Sequence, residues 1–360
     1  MTSWEESRAA REARINALHE RLTSAVEQLV SGTDWTRAIE FAARFRTRSF
    51  NNTLLIWVQH QAAFEAGRVP EPMPSYVAGF KQWLSLGRSV LKGQAGYMIQ
   101  APVTARFATA TPFDPQSWRP LEQNEKPRPG EIVRPKMVGV RPAYVWDVTQ
   151  TAGDPIPEQP GPSLLEGEAP AGLWDGLAQL IQARGFSVLH VAHAGLILGA
   201  NGLTDYSART VAVRQDMDDA ARVKTLAHEL AHVMLHGPDN SDAVRHRGIG
   251  EVEAESVALM IGAAHGLNTM SYTIPYVSSW ATSVEGRSAV EVVQATGERV
   301  RATAVKILAE IPTVQIGGGD PPGLTREANG RATERVTAEA AKPEVIAPQT
   351  RTAELVGRSL

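Results

Sequence analysis

Cysteine is absent from this 360-residue chain. That excludes disulfides and thiolate-bound zinc, so any metal ion must be held by His, Asp or Glu. No run of about 18 apolar residues occurs, which argues against a membrane-spanning helix. The segment Met1 to Ala25 is charged and helix-patterned, without the apolar core of a secretory signal. No internal repeat is visible. A cytoplasmic protein with no membrane partner is the expectation.

The net charge of −3 hides an asymmetry. Residues 1–150 carry 19 basic and 14 acidic side chains, which leaves the remainder at −8. Within 35–106 the counts are nine and three, and six of the eight tryptophans precede residue 150. Cations interleaved with aromatics suit single-stranded nucleic acid, because the cations follow phosphates and the rings stack on unpaired bases. Buried tryptophans in a small α+β domain would give the same composition.

The most informative stretch is His228-Glu229-Leu230-Ala231-His232. Histidines at i and i+4 share one face of a helix, where both rings can reach one Zn²⁺. Glu229 is then placed to act as general base. Asp216, Asp218 and Asp219 supply an N-cap and an acidic first turn. Val223, Leu226, Leu230, Val233 and Met234 form the apolar stripe, and Gly237-Pro238 stops the helix. A second acidic helix follows, with Glu251, Glu253 and Glu255. A catalytic zinc site takes three protein ligands and an open position. Glu251 is the expected third ligand, and Glu255, one turn on, is expected to orient a ligand histidine. Glu253 lies on another face and is the fallback ligand. His236 reads as a helix C-cap and His246 as a loop residue. His190, His193 and His265 carry no spacing signal. Two histidines and a carboxylate suit Zn²⁺ and also Mn²⁺.

Periodicity predicts helices over Glu5–Val30, Trp35–Phe45, from about Asn51 to Trp57, and over Val77–Leu86. Strands follow at Tyr97–Val103, Lys136–Val140 and Ala143–Val148, with a long hairpin loop at 109–135. Residues 151–171, rich in Pro and Gly, read as a linker. Beyond it come a helix to Ala183, a strand at Phe186–Val191, and a hairpin pairing Leu196–Gly199 with Thr210–Val213 around Asn201-Gly202. The two acidic-site helices and a helical stretch over Trp280–Ile311 complete this half. Residues 312–360 read as a disordered tail. The fold class is therefore α+β: an N-terminal α+β domain over 1–150, then a mostly helical domain with a small sheet over 172–311.

Several stretches in order carry a family resemblance. They are Trp35…Phe41-Ala42-Ala43-Arg44-Phe45, Ser49-Phe50-Asn51-Asn52-Thr53-Leu54-Leu55-Ile56, Val77-Ala78-Gly79-Phe80-Lys81-Gln82-Trp83, Leu86-Gly87-Arg88, Lys92-Gly93 and Tyr144–Thr151. These resemble the N-terminal single-stranded-DNA-binding domain of ArdC-type antirestriction proteins. Leu226–His236 and Glu251–Ala258 resemble the zincin-like metallopeptidase half of ArdC and of ImmA/IrrE proteins. Arg46-Thr47-Arg48 and Gln94 depart from the pattern, and 65–75 looks like an insertion. The resemblance implies DNA contacts from Arg44, Arg46, Arg48, Asn51, Asn52, Lys81, Trp83, Arg88 and Lys92, with helix capping the competing role for the two asparagines. It implies a mobile-element or antirestriction protein that binds single-stranded DNA and cleaves a protein substrate with a metal ion. Two alternatives stay open: a DNA-masking protein with an idle metal site, and a repressor-specific protease.

Overall fold

The computed structural model describes residues 3–322 except 30, 123, 157–166, 239–246, 269–273, 275–276, 283 and 285, together with residue 324. The chain starts with helices α1 (Ser3–Glu27), α2 (Gly32–Arg44) and α3 (Phe50–Glu65). Local chemistry sets the start of α2: Ser31 accepts from the Asp34 amide while Asp34 reaches back to the Ser31 amide, a capping box. Trp35, Ala38, Ile39 and Ala42 then form its buried stripe. Ser49 caps α3, which runs eight residues past the expected Trp57.

The expected helix over Val77–Leu86 is split. Val77–Gly79 is strand β1, paired with Val145–Asp147, and only Phe80–Ser85 is helical (α4). Tertiary pairing of buried Val77 and Ala78 overrides the local pattern. After β2 (Arg88–Val90) come β3 (Tyr97–Thr109), β4 (Arg119–Leu121), β5 (Ile132–Asp147) and β6 (Thr151–Gly153). The main sheet has the order β1-β5-β3-β4, and β2 pairs with β6. Both long strands thus extend into the region read as loop. Residues Arg106–Pro135 belong to a separate unit, in which β3 pairs with β4 and Arg119 bridges Glu125 and Glu131.

The later elements are α5 (Leu173–Ala183), β7 (Ser187–Val191), β8 (Gly202–Asp205), β9 (Thr210–Arg214), α6 (Asp219–Leu235), α7 (Arg247–Ala264), α8 (Val277–Ala281) and α9 (Ala289–Glu310). The small sheet runs β7-β9-β8, with β7 parallel and β8 antiparallel to the middle strand. The hairpin partner of β9 is therefore 202–205 and not the expected 196–199. Ala194–Ile197 is a single 3₁₀ turn instead, with Leu198 and Gly199 both at positive φ.

One core is shared by elements on both sides of 151–171. Trp35, Phe50 and Leu54 pack in the same cluster as Leu226, Val257, Trp280 and Val300. Trp35 donates its indole N–H to Ser256 on α7 (2.8 Å) and meets Trp280 edge-on at 5.1 Å. A smaller cluster of Phe41, Phe45, Ile56, Val77, Tyr97 and Val145 seats α2 and α3 on the main sheet. Residues 312–322, read as the beginning of a disordered tail, are tied to the rest of the chain. Ile316 donates to Ala264 (2.7 Å), Val77 donates to Gly319 (2.9 Å), and Asp320 pairs with Arg48. Residues 325–360 of that expected tail, and 157–166 of the expected linker, lie outside the described residues.

Candidate metal centre

Helix α6 begins at Asp218, whose carboxylate accepts from the Ala221 amide (2.7 Å). Its apolar side, Val223, Leu226, Ala227 and Leu230, is buried, which turns His228 and His232 towards a cleft. Helix α7 packs along α6 and brings Glu251 opposite them. His228 Nε2 and His232 Nε2 are 3.0 Å apart, and Glu251 Oε2 and Oε1 lie 3.5 and 3.6 Å from them. Among the described residues these three side chains form the group able to share one ion. Donors about 2.0–2.1 Å from a tetrahedral ion are separated by roughly 3.3 Å. The chemistry and spacing of this donor set therefore fit a divalent cation.

The surroundings favour positive charge at this point. Burial opposes the charged form of His228, yet bonds to Glu251 and Glu255 outweigh it and raise its pKa to about 9. Hydrogen bonds from His228 and His232 hold Glu251 well below the ordinary carboxylate range. Glu255 takes the position expected of an orienting residue. Its Oε2 is 3.1 Å from His228 Nδ1, and its Oε1 pairs with Lys224 at 2.9 Å.

Glu229 is buried at the inner wall of the cleft. Thr204 donates to its Oε2 (2.6 Å), which leaves Oε1 towards Gly202. A Cβ at residue 202 would sit 2.7 Å from that Oε1 and 2.6 Å from Thr225, so only glycine lets β8 approach the Glu229 carboxylate this closely. Tyr206 donates to the His232 carbonyl (2.8 Å), and burial pushes its pKa up to about 12, so it stays a donor. The cleft encloses about 570 Å³. Its floor is the α6 face, and β8 forms one side.

Lys224, Thr204 and Tyr206 were not singled out from sequence. For Lys224 a signal existed, since it precedes His228 by four residues on the same helix face. The two others arrive from β8 and the turn after it, and the misplaced hairpin concealed them. Glu253, the fallback ligand, faces away from the cluster: it is buried between His236 (3.0 Å) and Arg299. His236 is the C-cap of α6, as expected, and its Nδ1 also meets His232 Nδ1 at 2.9 Å. His190 stacks on Trp174. His265 is buried, bonded to Ile261 and Thr313. His246 lies outside the described residues.

The nine residues expected to contact DNA divide by environment. Arg44, Lys81 and Lys92 are exposed. Arg46 is half-buried, bonded to Ala43 and Gln315, and burial lowers its pKa. Arg48 bonds Val77 and Asp320. Arg88 staples β2 to β6 through Thr151, Gly153 and Asp154. Asn52 spends its amide on Gln100 of β3, accepting from its N–H (2.9 Å) and donating to its carbonyl (2.8 Å). Asn51 is half-buried, with its Oδ1 shielded from solvent. Trp83 is fully buried and donates to the Trp146 carbonyl, so it presents no ring face for stacking. Exposed rings occur nearby instead. Phe80 and Tyr144 are 48 % and 43 % exposed, and both flank the half-buried Trp146 at 6.2 and 6.4 Å. No carboxylate occurs over residues 72–113 or 132–146.

Comparison with known proteins adds three findings. An uncharacterized Bacillus anthracis protein, pXO2-81, is 23 % identical over 280 residues, covering 72 % of this chain and 45 % of its own length. The chain thus spans less than half of that relative. The crystal structures of the antirestriction protein ArdC from plasmid R388, metal-free and Mn(II)-bound, are 18 % identical to this chain. They have TM-scores of 0.45 and 0.41, and cover 80 % and 73 % of this chain and 97 % and 88 % of ArdC. Residues 9–137 match the family described as the N-terminal domain of anti-restriction factor ArdC. Over those residues the chain is similar to that domain.

Proposed function

We propose that this chain is a metal-dependent endopeptidase that binds single-stranded DNA and acts on a protein substrate. One observation carries the peptidase reading: the Glu229 carboxylate shares a single cleft with the His228, His232 and Glu251 donors, along the edge of β8. His228, His232 and Glu251 would hold the ion, Zn²⁺ or Mn²⁺. When bound, such an ion polarises a scissile carbonyl and lowers the pKa of water. Glu229 Oε1 takes the proton of the attacking water and returns it to the leaving amine. Thr204 fixes the carboxylate for this through Oε2. β8 is the outer strand of its sheet, so an extended peptide can add beside it through main-chain hydrogen bonds.

The test is cleavage of a fluorogenic peptide library by the Zn²⁺- or Mn²⁺-loaded protein. Metal-dependent cleavage, reduced about 10²–10⁴-fold in Glu229→Gln while metal binding persists, is expected. A loaded protein that cleaves nothing, with Glu229→Gln indistinguishable from it, would leave the binding-only reading.

The DNA reading rests on a different observation, the Phe80–Trp146–Tyr144 ring cluster, borne on stretches of chain without carboxylates (72–113 and 132–146), with Lys81 and Lys92 exposed. Rings offer stacking faces and the lysines balance phosphates. Fluorescence anisotropy with oligo(dT) over a salt series should show Phe80→Ala and Tyr144→Ala each weakening binding by about 1–3 kcal/mol. Lys81→Ala and Lys92→Ala should each flatten the salt slope. Duplex bound as tightly as single strands would remove this reading.

A further inference from the structure

The two candidate ligand histidines are held differently. His228 meets its carboxylate, Glu255, directly, and that carboxylate is held by Lys224. His232 has no carboxylate on its Nδ1. It meets His236 Nδ1 at 2.9 Å, and His236 Nε2 in turn meets Glu253 Oε2 at 3.0 Å. Glu253 Oε1 is gripped by Arg299, 2.6 Å from Nε and 2.5 Å from Nη2. Glu253 is buried, and the His236 side chain is only 9 % exposed. A buried carboxylate and imidazole persist only when fully partnered.

We propose that His236, Glu253 and Arg299 form a relay that sets the tautomer and orientation of His232. The inference rests on the metal reading above. The direction of the chain follows from proton counting. To offer the Nε2 lone pair to an ion, neutral His232 must carry its proton on Nδ1. That proton is donated to His236 Nδ1, which must then be the unprotonated nitrogen. His236 therefore carries its proton on Nε2 and donates it to Glu253, whose negative charge Arg299 compensates. Each link has one donor and one acceptor. Reversal at any link would place a proton on His232 Nε2, where the ion must bind. His236 is a positioning residue, since it reaches the ion site only through His232.

Three variants test this by Zn²⁺ affinity in chelator competition and by the ligand-field spectrum of bound Co²⁺, with the apo-protein melting temperature as a fold control. His236→Leu removes the acceptor and should weaken Zn²⁺ binding about 10–100-fold. His236→Asn puts a carbonyl oxygen near the place of Nδ1 and should recover part of that loss. Glu253→Gln keeps the shape; with Arg299 holding its oxygen, its amide faces His236 as a donor and reverses the chain. It should weaken Zn²⁺ binding and shift the Co²⁺ spectrum even if His236→Leu fails to fold. Wild-type affinity and spectrum in both Glu253→Gln and a folded His236→Leu, while His228→Ala loses the metal, would overturn the relay and leave the metal site standing. Unchanged metal binding in His228→Ala would remove the site and the relay together.

Discussion

Single side chains here are fixed by the partners that burial forces on them. His265 is fully buried at the end of α7. Its Nδ1 faces the Ile261 carbonyl (2.7 Å), an acceptor only, so the proton sits on Nδ1 and Nε2 accepts from Thr313 (2.7 Å). Burial lowers its pKa, and the positive charge of Arg46 adds to this. The unfolded chain, with an ordinary value near 6.5, therefore binds the proton first as pH falls. The stabilisation is complete above pH 6.5 and is lost as pH drops towards the lower folded-state value. Melting temperature between pH 7.5 and 5 should fall more steeply in wild type than in His265→Asn, which keeps a donor for Ile261 but cannot titrate. Parallel curves would show that His265 does not contribute to the acid sensitivity.

At the scale of elements, docking relies on close approach and on paired amides. Asn52 and Gln59, seven residues apart on α3, each exchange two bonds with the backbone of β3, at Gln100 and Met98. They extend the β3 hydrogen-bonding pattern onto a helix, so the amide at 52 reads as structural. Helix α9 approaches α3 at Gly297, where a Cβ would lie 2.3–2.6 Å from three atoms of the Phe50 ring. Two effects oppose each other in Gly297→Ala. Helix propensity favours alanine by about 1 kcal/mol, whereas overpacking a closed core costs about 1–3 kcal/mol. Phe50 is fully buried and its amide is held by Glu298 (2.9 Å), so it cannot retreat. Overpacking should win: with the ring held, its cost falls in the upper part of that range, and the urea midpoint should fall by the equivalent of about 1–2 kcal/mol with the slope unchanged. A raised midpoint would mean that Phe50 moves aside at little cost.

Over the whole molecule, the core joins what the sequence divided. Helices α1–α3 belong to the half similar to the ArdC N-terminal domain, yet Trp35 and Phe50 pack on α7, α8 and α9. A fragment of residues 1–150 would expose both rings and the unpaired Trp35 indole. It should show no cooperative thermal transition by near-ultraviolet circular dichroism, whereas the full chain should. A cooperative melt of the fragment would show that the N-terminal part carries a sufficient core of its own.

The sequence alone determined what depends on short-range order. Helical spacing placed His228, Glu229 and His232 on one surface, and the next helix offered Glu251 and Glu255 one turn apart. Asp218 and Ser31 marked helix starts because caps are local hydrogen bonds. The tertiary structure decided what depends on distance in the chain. It paired β9 with 202–205, and so brought Thr204 and Tyr206 to Glu229 and His232. It buried Trp83, tied Arg88 to backbone carbonyls, and left Phe80 and Tyr144 outside. It also placed Arg299 against Glu253, 46 residues away. A cation's role is set by whether a carbonyl, a carboxylate or water faces it. That partner is supplied by packing between elements remote in sequence, which residue type and spacing do not encode.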